Sequence, residues 1–507
     1  MKFTKPAIKW TELAQSALPA VSGISRALFF RLFPLAALAI IVAMAFFMSL
    51  LRFQIADDYW TWCQVFFWVF AFFVFFLSPW FRRWLGRVDW RLALALIVIL
   101  AAVVRIWLML ALPTQPIYDY QSYHDAARAV SQAHLSHLQL LEGRPWGFPV
   151  LLGLVYLVFG AKVIVAQGLN LVLSLAAVVL LYLAAERIVS RMYALLAAFF
   201  FALLPSQILM NNVINSEILF IVLALAGVYF SLRYMQEYAL RDLILTGFFF
   251  GLAQNVRPVA IFYLAVFLGF LFLQLIPGHW KTVLKACVVT FLAFYVALIP
   301  FLALKSYEFR QVVLWEKGTF GMVFLMGTNP KFEGAWNRED YNWVHNLEVK
   351  YQNNGEIVNK LAFGRALERF SKLENVERLL PKKVRLMWGM DSFGWEWANV
   401  GTQGRKLISD PEIDRSYFAL SQLYYCAILL VLLGLFAGFR LERQPGFRYL
   451  TALFLAFFVI HLLIEVQGRY HMHITPYFFV LLAIGLQSRD AAGESLINGP
   501  NGEARAH

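Results

Sequence analysis

Apolar runs of about 20 residues recur from one end of the chain to the other. An α-helix of that length crosses the roughly 30 Å hydrocarbon core of a bilayer. Of the 507 residues, 61% are hydrophobic and 15% are charged, against roughly 45–50% and about 25% in soluble domains. A soluble fold could not cover so much apolar surface with so few charges, and transmembrane β-strands would alternate in shorter segments. The sequence therefore predicts an all-α polytopic membrane protein.

About twelve helices are predicted to cross the membrane. The predicted spans are 31–51, 62–80, 90–112, 163–185, 191–206, 213–233, 241–254, 258–276, 282–304, 417–438, 447–464 and 470–487. With the N-terminus in the cytoplasm, the short inner loops carry twelve Lys and Arg and the short outer loops carry three, Arg52, Arg257 and Arg469, as the positive-inside rule requires. These inner basic residues are Arg82, Arg83, Arg87, Arg187, Arg191, Arg233, Arg241, Lys281, Lys285, Arg440, Arg443 and Arg448. The pattern predicts a multi-pass membrane protein whose short basic loops face the cytoplasm.

Two segments then lie on the outer, periplasmic face. One is the first outer loop, 113–162, in which the apolar stretch 145–160 is too short to span and is read as a helix at the membrane surface. The other is 305–416, which holds 17 Lys/Arg and 15 Asp/Glu and is read as a mixed soluble domain. The predicted parts are an N-terminal tail with two additional helices (1–89), a transmembrane core (90–304), the outer domain (305–416), C-terminal helices (417–487) and a cytoplasmic tail (488–507).

The first outer loop contains a group of residues suited to proton transfer. It reads Y-D-Y-Q-S-Y-H-D directly after a membrane helix. In a helix, Asp119 and Tyr123 share one face while Asp125 points elsewhere. A single carboxylate at the edge of the bundle is what a general base needs to take a proton from an acceptor. The alternative is that these residues are interfacial polar groups at the bilayer edge.

Further charged residues are predicted at the same outer face. Arg257 and Arg469 are exceptions to the positive-inside rule, because they lie in predicted outer loops, and we therefore expect each to have an anionic partner. A phosphate at the bilayer surface fits, because guanidinium binds phosphate with paired hydrogen bonds. Pairing with Glu217, Glu465 or Asp119 is the alternative. The candidate substrate contacts are Tyr120, Tyr123, His124, Asp125, Arg144, Glu217, Asn255, Arg257, Arg469, Tyr470 and His471.

Metal and nucleotide sites find little support in the sequence. His471 and His473 diverge on a helix, and no zinc-binding pattern accompanies them. No phosphate-cradling glycine loop is present in the sequence either. We predict no cofactor, with a divalent metal unsupported, and no nucleic-acid partner. In the outer domain, five tryptophans are candidates for sugar stacking or for an aromatic belt: Trp336, Trp343, Trp388, Trp395 and Trp397.

The order of these motifs resembles a known family. Y-D-Y-Q-S-Y-H-D, L-L-P-S-Q-I-L-M-N-N-V-I-N-S-E-I-L-F, G-L-A-Q-N-V-R-P-V-A and Q-G-R-Y-H-M-H-I-T-P-Y follow one another along the chain. Over about 90–487 this is similar to bacterial members of the dolichyl-phosphate-mannose–protein mannosyltransferase superfamily, which includes the lipid A aminoarabinose transferases. The resemblance implies a GT-C fold and a polyprenyl-phosphate sugar donor, used with inversion at the anomeric carbon.

The resemblance also implies roles for individual residues. Asp119 matches the catalytic carboxylate, and Tyr123 matches the aromatic residue that follows it. Arg257 and Arg469 would hold the departing lipid phosphate, and Glu217 would line the substrate pocket. Tyr120 stands where many relatives have a second acidic residue, which makes a metal-assisted mechanism doubtful and leaves Asp125 as a rival base.

The predicted function is transfer of a sugar to a lipid, glycan or protein acceptor at the periplasmic face. One alternative is an O-antigen ligase or polymerase, which also uses outer-face arginines but takes lipid diphosphate donors. The other is a transporter, which would show matching halves with broken helices and charges at the midplane. No such internal repeat is visible in the sequence.

Overall fold

The computed structural model describes residues 33–51, 59–136, 145–275, 279–315, 320–352, 354–438 and 445–497. Throughout these residues the secondary structure is helical, apart from one isolated β-bridge between Val400 and Lys406. The helices of the first part are α1 Phe33–Leu51, α2 Tyr59–Phe76, α3 Pro79–Leu85, α4 Trp90–Ala111, α5 Tyr118–Ser131, α6 Gly147–Phe159 and α7 Val163–Glu186.

The chain continues with further helices on both sides of the outer domain. They are α8 Arg191–Ala202, α9 Pro205–Met210, α10 Glu217–Glu237, α11 Leu240–Gln254, α12 Ala260–Leu275 and α13 Trp280–Phe309; in the outer domain α14 Phe320–Gly327, α15 Arg338–Lys350, α16 Gly355–Phe370, α17 Leu373–Trp388 and α18 Phe393–Ala398; and finally α19 Pro411–Gly438, α20 Pro445–Leu463 and α21 Thr475–Ile497. Short 3₁₀ turns lie at Pro330–Phe332, Thr402–Gly404 and Gly468–His473.

The predicted class, a polytopic helical membrane protein, is confirmed. Each of the twelve predicted spans coincides with a helix. Among the described residues, six helices are long and apolar enough to cross a membrane, or seven if the bent pair α2–α3 counts as one span. The others fall short of this test; α8, for example, has 12 residues and is only about 18 Å long at 1.5 Å per residue.

The outer domain differs from the expected mixed domain, because its described residues form helices. Asn337 and Asn354 cap the N-termini of α15 and α16 by accepting main-chain N–H bonds. The stretch is also rich in Glu, Lys, Arg and Leu, which are good helix formers. A small apolar core of its own holds α14, α15 and α16 together: Phe324, Leu325, Val344, Val358, Ala362 and Ala366.

Close helix packing fixes the turn that carries Arg257. Gly247 and Gly251, one turn apart on α11, lie against the main-chain carbonyls of Thr290 and Phe294 on α13. A Cβ at either glycine would collide with those carbonyls, so small residues are needed for this approach. The C-terminus of α11 is therefore held firmly against its neighbour.

Candidate active site

The start of α5 is attached to the outer domain. After α4 ends, the Thr114 hydroxyl donates to the Ala398 carbonyl at 2.6 Å, and the Gln115 N–H donates to the Val400 carbonyl at 2.8 Å. Asp119 follows in the first turn of α5, where a carboxylate interacts favourably with the helix dipole.

Four of the predicted charged residues meet in one cluster. Arg469 donates from Nη2 to Asp119 Oδ2 at 3.0 Å and from Nη1 to the Tyr120 hydroxyl at 2.6 Å. Its Nε lies 3.5 Å from Glu217 Oε1. The same Glu217 oxygen lies 2.5 Å from Arg257 Nη2. The residues thus form a continuous chain in which acid and base alternate, which we call the arginine–carboxylate cluster (Asp119, Glu217, Arg257 and Arg469).

Burial differs along this cluster. The Glu217 side chain has no exposed surface and Arg469 is buried, but 36% of the Asp119 side chain is exposed. Burial acts to lower the pKa of Arg469, yet the surrounding Tyr120, Glu217 and Asp119 raise that pKa well above its usual value. Both arginines therefore remain charged, and Asp119 is the most exposed member of the cluster.

The turn that carries Arg469 is itself tightly held. Arg469 and Tyr470 belong to the 3₁₀ turn after α20. The Glu465 carboxylate accepts from Gln467 Nε2 at 2.7 Å and from the Tyr470 hydroxyl at 3.4 Å. Burial raises the pKa of Glu465, with Gln467 and Arg469 acting in the opposite direction. The Arg257 guanidinium lies over the Tyr470 ring, 5.8 Å from its centroid.

The other predicted residues of α5 lie away from the two arginine guanidinium groups or pack against α6. Asp125 is exposed and accepts from Gln121 at 2.8 Å. His124 Nδ1 lies 2.7 Å from the Tyr156 hydroxyl on α6. Burial lowers the pKa of His124, and Asp125 partly offsets this. Tyr123 is buried edge-to-face against Phe148. The rival base Asp125 bonds Gln121, whereas the carboxylates that pair with Arg257 and Arg469 are Glu217 and Asp119.

Asn255 and His471 occupy structural positions. Asn255 donates to the carbonyls of Gly251 and Ala297 at 3.2 and 3.0 Å. His471 is fully buried, with Nε2 3.0 Å from Asp391 Oδ1. These bonds join Asn255 to α11 and α13 and His471 to Asp391, and Arg144 lies outside the described residues. Among the described residues no group of three or more His, Cys, Asp or Glu side chains is arranged to hold a metal.

The tryptophans of the outer domain separate into distinct environments. Trp388 and Trp395 are buried, so they cannot stack on a sugar. Trp397 packs edge-on against Tyr120 with 5.0 Å between ring centroids. Trp343 lies beneath the Arg365 guanidinium, and Trp336 is exposed. Of the five, Trp397 therefore contacts Tyr120, which is bonded to Arg469 of the cluster.

Two buried groups near the site escaped the sequence analysis. Lys383 on α17 is buried, and its ammonium donates to the carbonyls of Gly327, Leu462 and Ile464 at 2.7–2.9 Å. Asp391 is the buried partner of His471. No sequence signal distinguishes Lys383 from its neighbour Lys382, because all three of its bonded partners are main-chain atoms.

These features define a multi-pass helical membrane protein with a charged cluster at one end of its bundle. Residues 143–305 match a family model described as dolichyl-phosphate-mannose-protein mannosyltransferase. The match confirms the resemblance recognised in the sequence. It includes Glu217, Asn255 and Arg257 but reaches neither Asp119 nor Arg469. No curated protein matches the chain.

Solved structures of membrane glycosyltransferases are also similar to the chain. One is the archaeal oligosaccharyltransferase AglB from Archaeoglobus fulgidus, in complex with an inhibitory peptide and a dolichol-phosphate: 12% identity, TM-score 0.42, covering 82% of this chain and 52% of AglB. Another is ArnT from Cupriavidus metallidurans bound to undecaprenyl phosphate: 16% identity, TM-score 0.33, covering 79% of each chain. The chain thus spans about half the length of AglB, and the superpositions assign no residue of this chain.

Proposed function

We propose that the protein is an inverting glycosyltransferase. It would move one sugar from a polyprenyl-phosphate carrier to a lipid, glycan or protein acceptor at the periplasmic face of the bacterial inner membrane. The observation that carries the proposal is the ion pair between Asp119 and Arg469. Arg469 also lies next to Glu217, and Glu217 pairs with Arg257. A carboxylate able to accept a proton lies beside one guanidinium group, and a second guanidinium group lies on the other side of Glu217; both guanidinium groups are able to hold a phosphate.

The proposed reaction transfers one proton to Asp119 and leaves one electron pair on the phosphate. Asp119 accepts the proton of an acceptor hydroxyl or amine as that oxygen or nitrogen attacks the anomeric carbon. The bond between the anomeric carbon and the phosphate oxygen breaks, and its electron pair stays on the phosphate. Attack from the face opposite the phosphate inverts the anomeric configuration. Polyprenyl phosphate is the second product.

Arg257 and Arg469 stabilise the leaving phosphate in this scheme. Their positive charge is in place before charge develops on the phosphate oxygen, which is the arrangement that lowers a transition-state barrier. Arg469 also bonds Asp119 directly. A donor phosphate would compete with Asp119 for Arg469 and would leave the Asp119 carboxylate available to the acceptor. Donor binding therefore activates the base.

The outer domain supplies one wall of this site. Its Ala398 and Val400 carbonyls hold the loop before α5, and Trp397 packs on Tyr120. We assign residues 305–416 to the acceptor side, because the donor carrier must reach the arginines from the membrane.

The test is transfer of radiolabelled sugar by purified protein from a panel of synthetic polyprenyl-phosphate sugars. Asp119→Asn should bind the donor and lose about 10²–10⁴-fold in transfer, the usual contribution of a general base. Asp125→Asn is the matched control, because it is an exposed carboxylate on the same helix, bonded to Gln121. It should retain transfer.

The outcomes separate the residue assignment from the class. Full activity in Asp119→Asn together with loss of activity in Asp125→Asn would support the glycosyltransferase class but contradict the assignment of Asp119 as the base. If no monophosphate donor reacts and only diphosphate-linked glycans are transferred, the ligase or polymerase alternative replaces the proposal.

A further inference from the structure

A crevice of about 390 Å³ lies at the end of the bundle opposite the arginine–carboxylate cluster. The helix pair α2–α3 is bent by 55° there. The crevice lies between this bend, α19 and α21. Its lining residues are Leu77, Arg82, Val431, Gly434, Leu435, Leu486 and Arg489. The lining thus consists of four apolar side chains, one glycine and two arginines.

The charges lining the crevice do not cancel. Arg82 is buried, and its guanidinium donates to the Leu77 carbonyl and to Asp490 Oδ1, the latter at 2.9 Å. The Tyr193 hydroxyl donates to the other Asp490 oxygen at 2.6 Å. Arg82 Nε is buried without a hydrogen-bond partner among the described residues. Arg489 is exposed. Arg82 is thus paired with Asp490, whereas Arg489 forms no ion pair with another residue that the structure describes, which leaves one positive charge at the crevice.

The residues around the bend place the crevice at the level of lipid headgroups. Trp80 and Trp84 lie one turn apart on α3, and their side chains are 59% and 49% exposed. Exposed tryptophans of this kind collect at the boundary between hydrocarbon and water. Arg83 and Arg87 lie beside them. A ligand in the crevice would have its polar part near these residues and its apolar part along α2, α19 and α21.

We propose that this crevice binds one anionic glycerophospholipid. Its phosphate would interact with Arg82 and Arg489, and an acyl chain would lie along Leu77, Val431 and Leu435. The single excess positive charge matches a phosphodiester that carries no compensating ammonium group, since basic pockets between membrane helices favour acidic headgroups. The lipid would join the bent pair α2–α3 to α19 and α21. This site is independent of the proposed sugar transfer.

Gly434→Leu is the sharpest variant for the test. A Cβ at Gly434 would meet no atom within 4 Å, so a leucine side chain can enter the crevice without moving α19. Gly168→Leu on α7 is the matched control, because a Cβ there also meets nothing within 4 Å and Gly168 does not line the crevice. For charge, Arg489→Gln is compared with Arg83→Gln, whose side chain lies on α3 outside the crevice lining.

The measurement is native mass spectrometry of the purified full chain, titrated with phosphatidylglycerol or with phosphatidylcholine of the same acyl chains. The wild type should retain one phosphatidylglycerol per chain in preference to phosphatidylcholine. Gly434→Leu should lose this retained lipid, and Arg489→Gln should weaken it about fivefold, the change expected for about 1 kcal/mol per basic residue. Both controls should bind like the wild type.

Each part of the proposal has its own contrary result. Equal retention of the two lipids, or of none, would overturn the anionic site. Unchanged binding in Gly434→Leu would move the lipid away from this crevice, and unchanged binding in Arg489→Gln would remove the charge recognition. The readout is lipid binding, so failure of the glycosyltransferase proposal would leave it unaffected.

Discussion

Two buried cations at the end of the molecule that carries the arginine–carboxylate cluster are held in opposite ways. Arg469 bonds a carboxylate and a phenol, and a second carboxylate, Glu217, lies close to it. Lys383 lies deeper, about 1% exposed, and its ammonium bonds three main-chain carbonyls. Both residues belong to the contact between the outer domain and the membrane helices, yet their partners suit them to different tasks.

The partners of Arg469 are exchangeable, whereas those of Lys383 are fixed. An anionic ligand can replace the Asp119 carboxylate on Arg469 and keep the guanidinium paired. The carbonyls of Gly327 and Leu462 lie at the C-terminal ends of α14 and α20, where helices leave carbonyls without internal partners. Lys383 therefore caps two helices at once. We therefore propose that Arg469 binds ligand and that Lys383 supports the structure.

The largest expected effect is that of Arg469→Lys. A lysine ammonium cannot place separate donors on Asp119, on Tyr120 and toward Glu217, because it lacks the planar fork of guanidinium. We expect transfer to fall about 10³-fold, or about 4 kcal/mol, the upper range for loss of one transition-state donor. Steady-state transfer measures it, with Arg128→Lys, an exposed arginine on α5, as control. Full activity in Arg469→Lys would show that charge alone suffices there.

A smaller effect, on stability, is expected for Lys383→Met. Methionine keeps the apolar stem but leaves the carbonyls of Gly327, Leu462 and Ile464 without this donor. We expect a loss of about 3 kcal/mol in stability, since buried unpaired polar groups cost about 1–3 kcal/mol each. Thermal unfolding in detergent measures it, and the donor KM of the folded protein should be unchanged. Lys382→Met is the control, because its side chain is partly exposed on the same helix.

A Lys383→Met protein with normal stability and a raised donor KM would reverse the comparison. Lys383 would then belong to the ligand site, and its carbonyl contacts would be incidental. Lower stability together with a raised donor KM would mean that Lys383 and Arg469 support the ligand site jointly.

The sequence alone predicted that the residues of the arginine–carboxylate cluster lie at one end of the bundle. Asp119, Glu217, Arg257 and Arg469 each adjoin the outer end of an apolar run, so the alternation of inner and outer loops places them together. Which of them bond directly depends on how the helices pack. The close contact between α11 and α13 at Gly247 and Gly251 was not visible from hydropathy.

Other parts of the site had no local signal. His471 was predicted to contact substrate, but a buried carboxylate 80 residues away, Asp391, bonds it. Trp388 and Trp395 have the composition of a sugar-stacking surface and are buried instead. Lys383 could not be singled out, because a lysine bonded to main-chain carbonyls leaves no charged partner in the sequence. Predictions from residue type fail wherever the partner is the backbone or lies far along the chain.

The pH dependence of stability gives the finest test of the comparison, with the smallest expected effect. Burial lowers the pKa of Lys383 to about 7, and Glu465 opposes this. In the unfolded chain the lysine keeps its proton up to about pH 10.4. Between these values the unfolded state binds more protons than the folded state, so the free energy of unfolding rises with pH. Below pH 7 both states are protonated and Lys383 adds no slope.

The rise of the free energy of unfolding with pH is caused by Lys383 only if Lys383→Met removes it. We expect the stability difference between wild type and Lys383→Met to grow by about 1 kcal/mol per pH unit from pH 7.5 to 9.5, near the limit of about 1.4 for one proton. Reversible denaturant titration in micelles at several pH values measures this difference, which cancels other titrating groups. Parallel curves would mean that three carbonyls keep the ammonium charged despite burial. Lys383 would then resemble Arg469 in carrying a permanent charge, and only the kind of partner would distinguish the two.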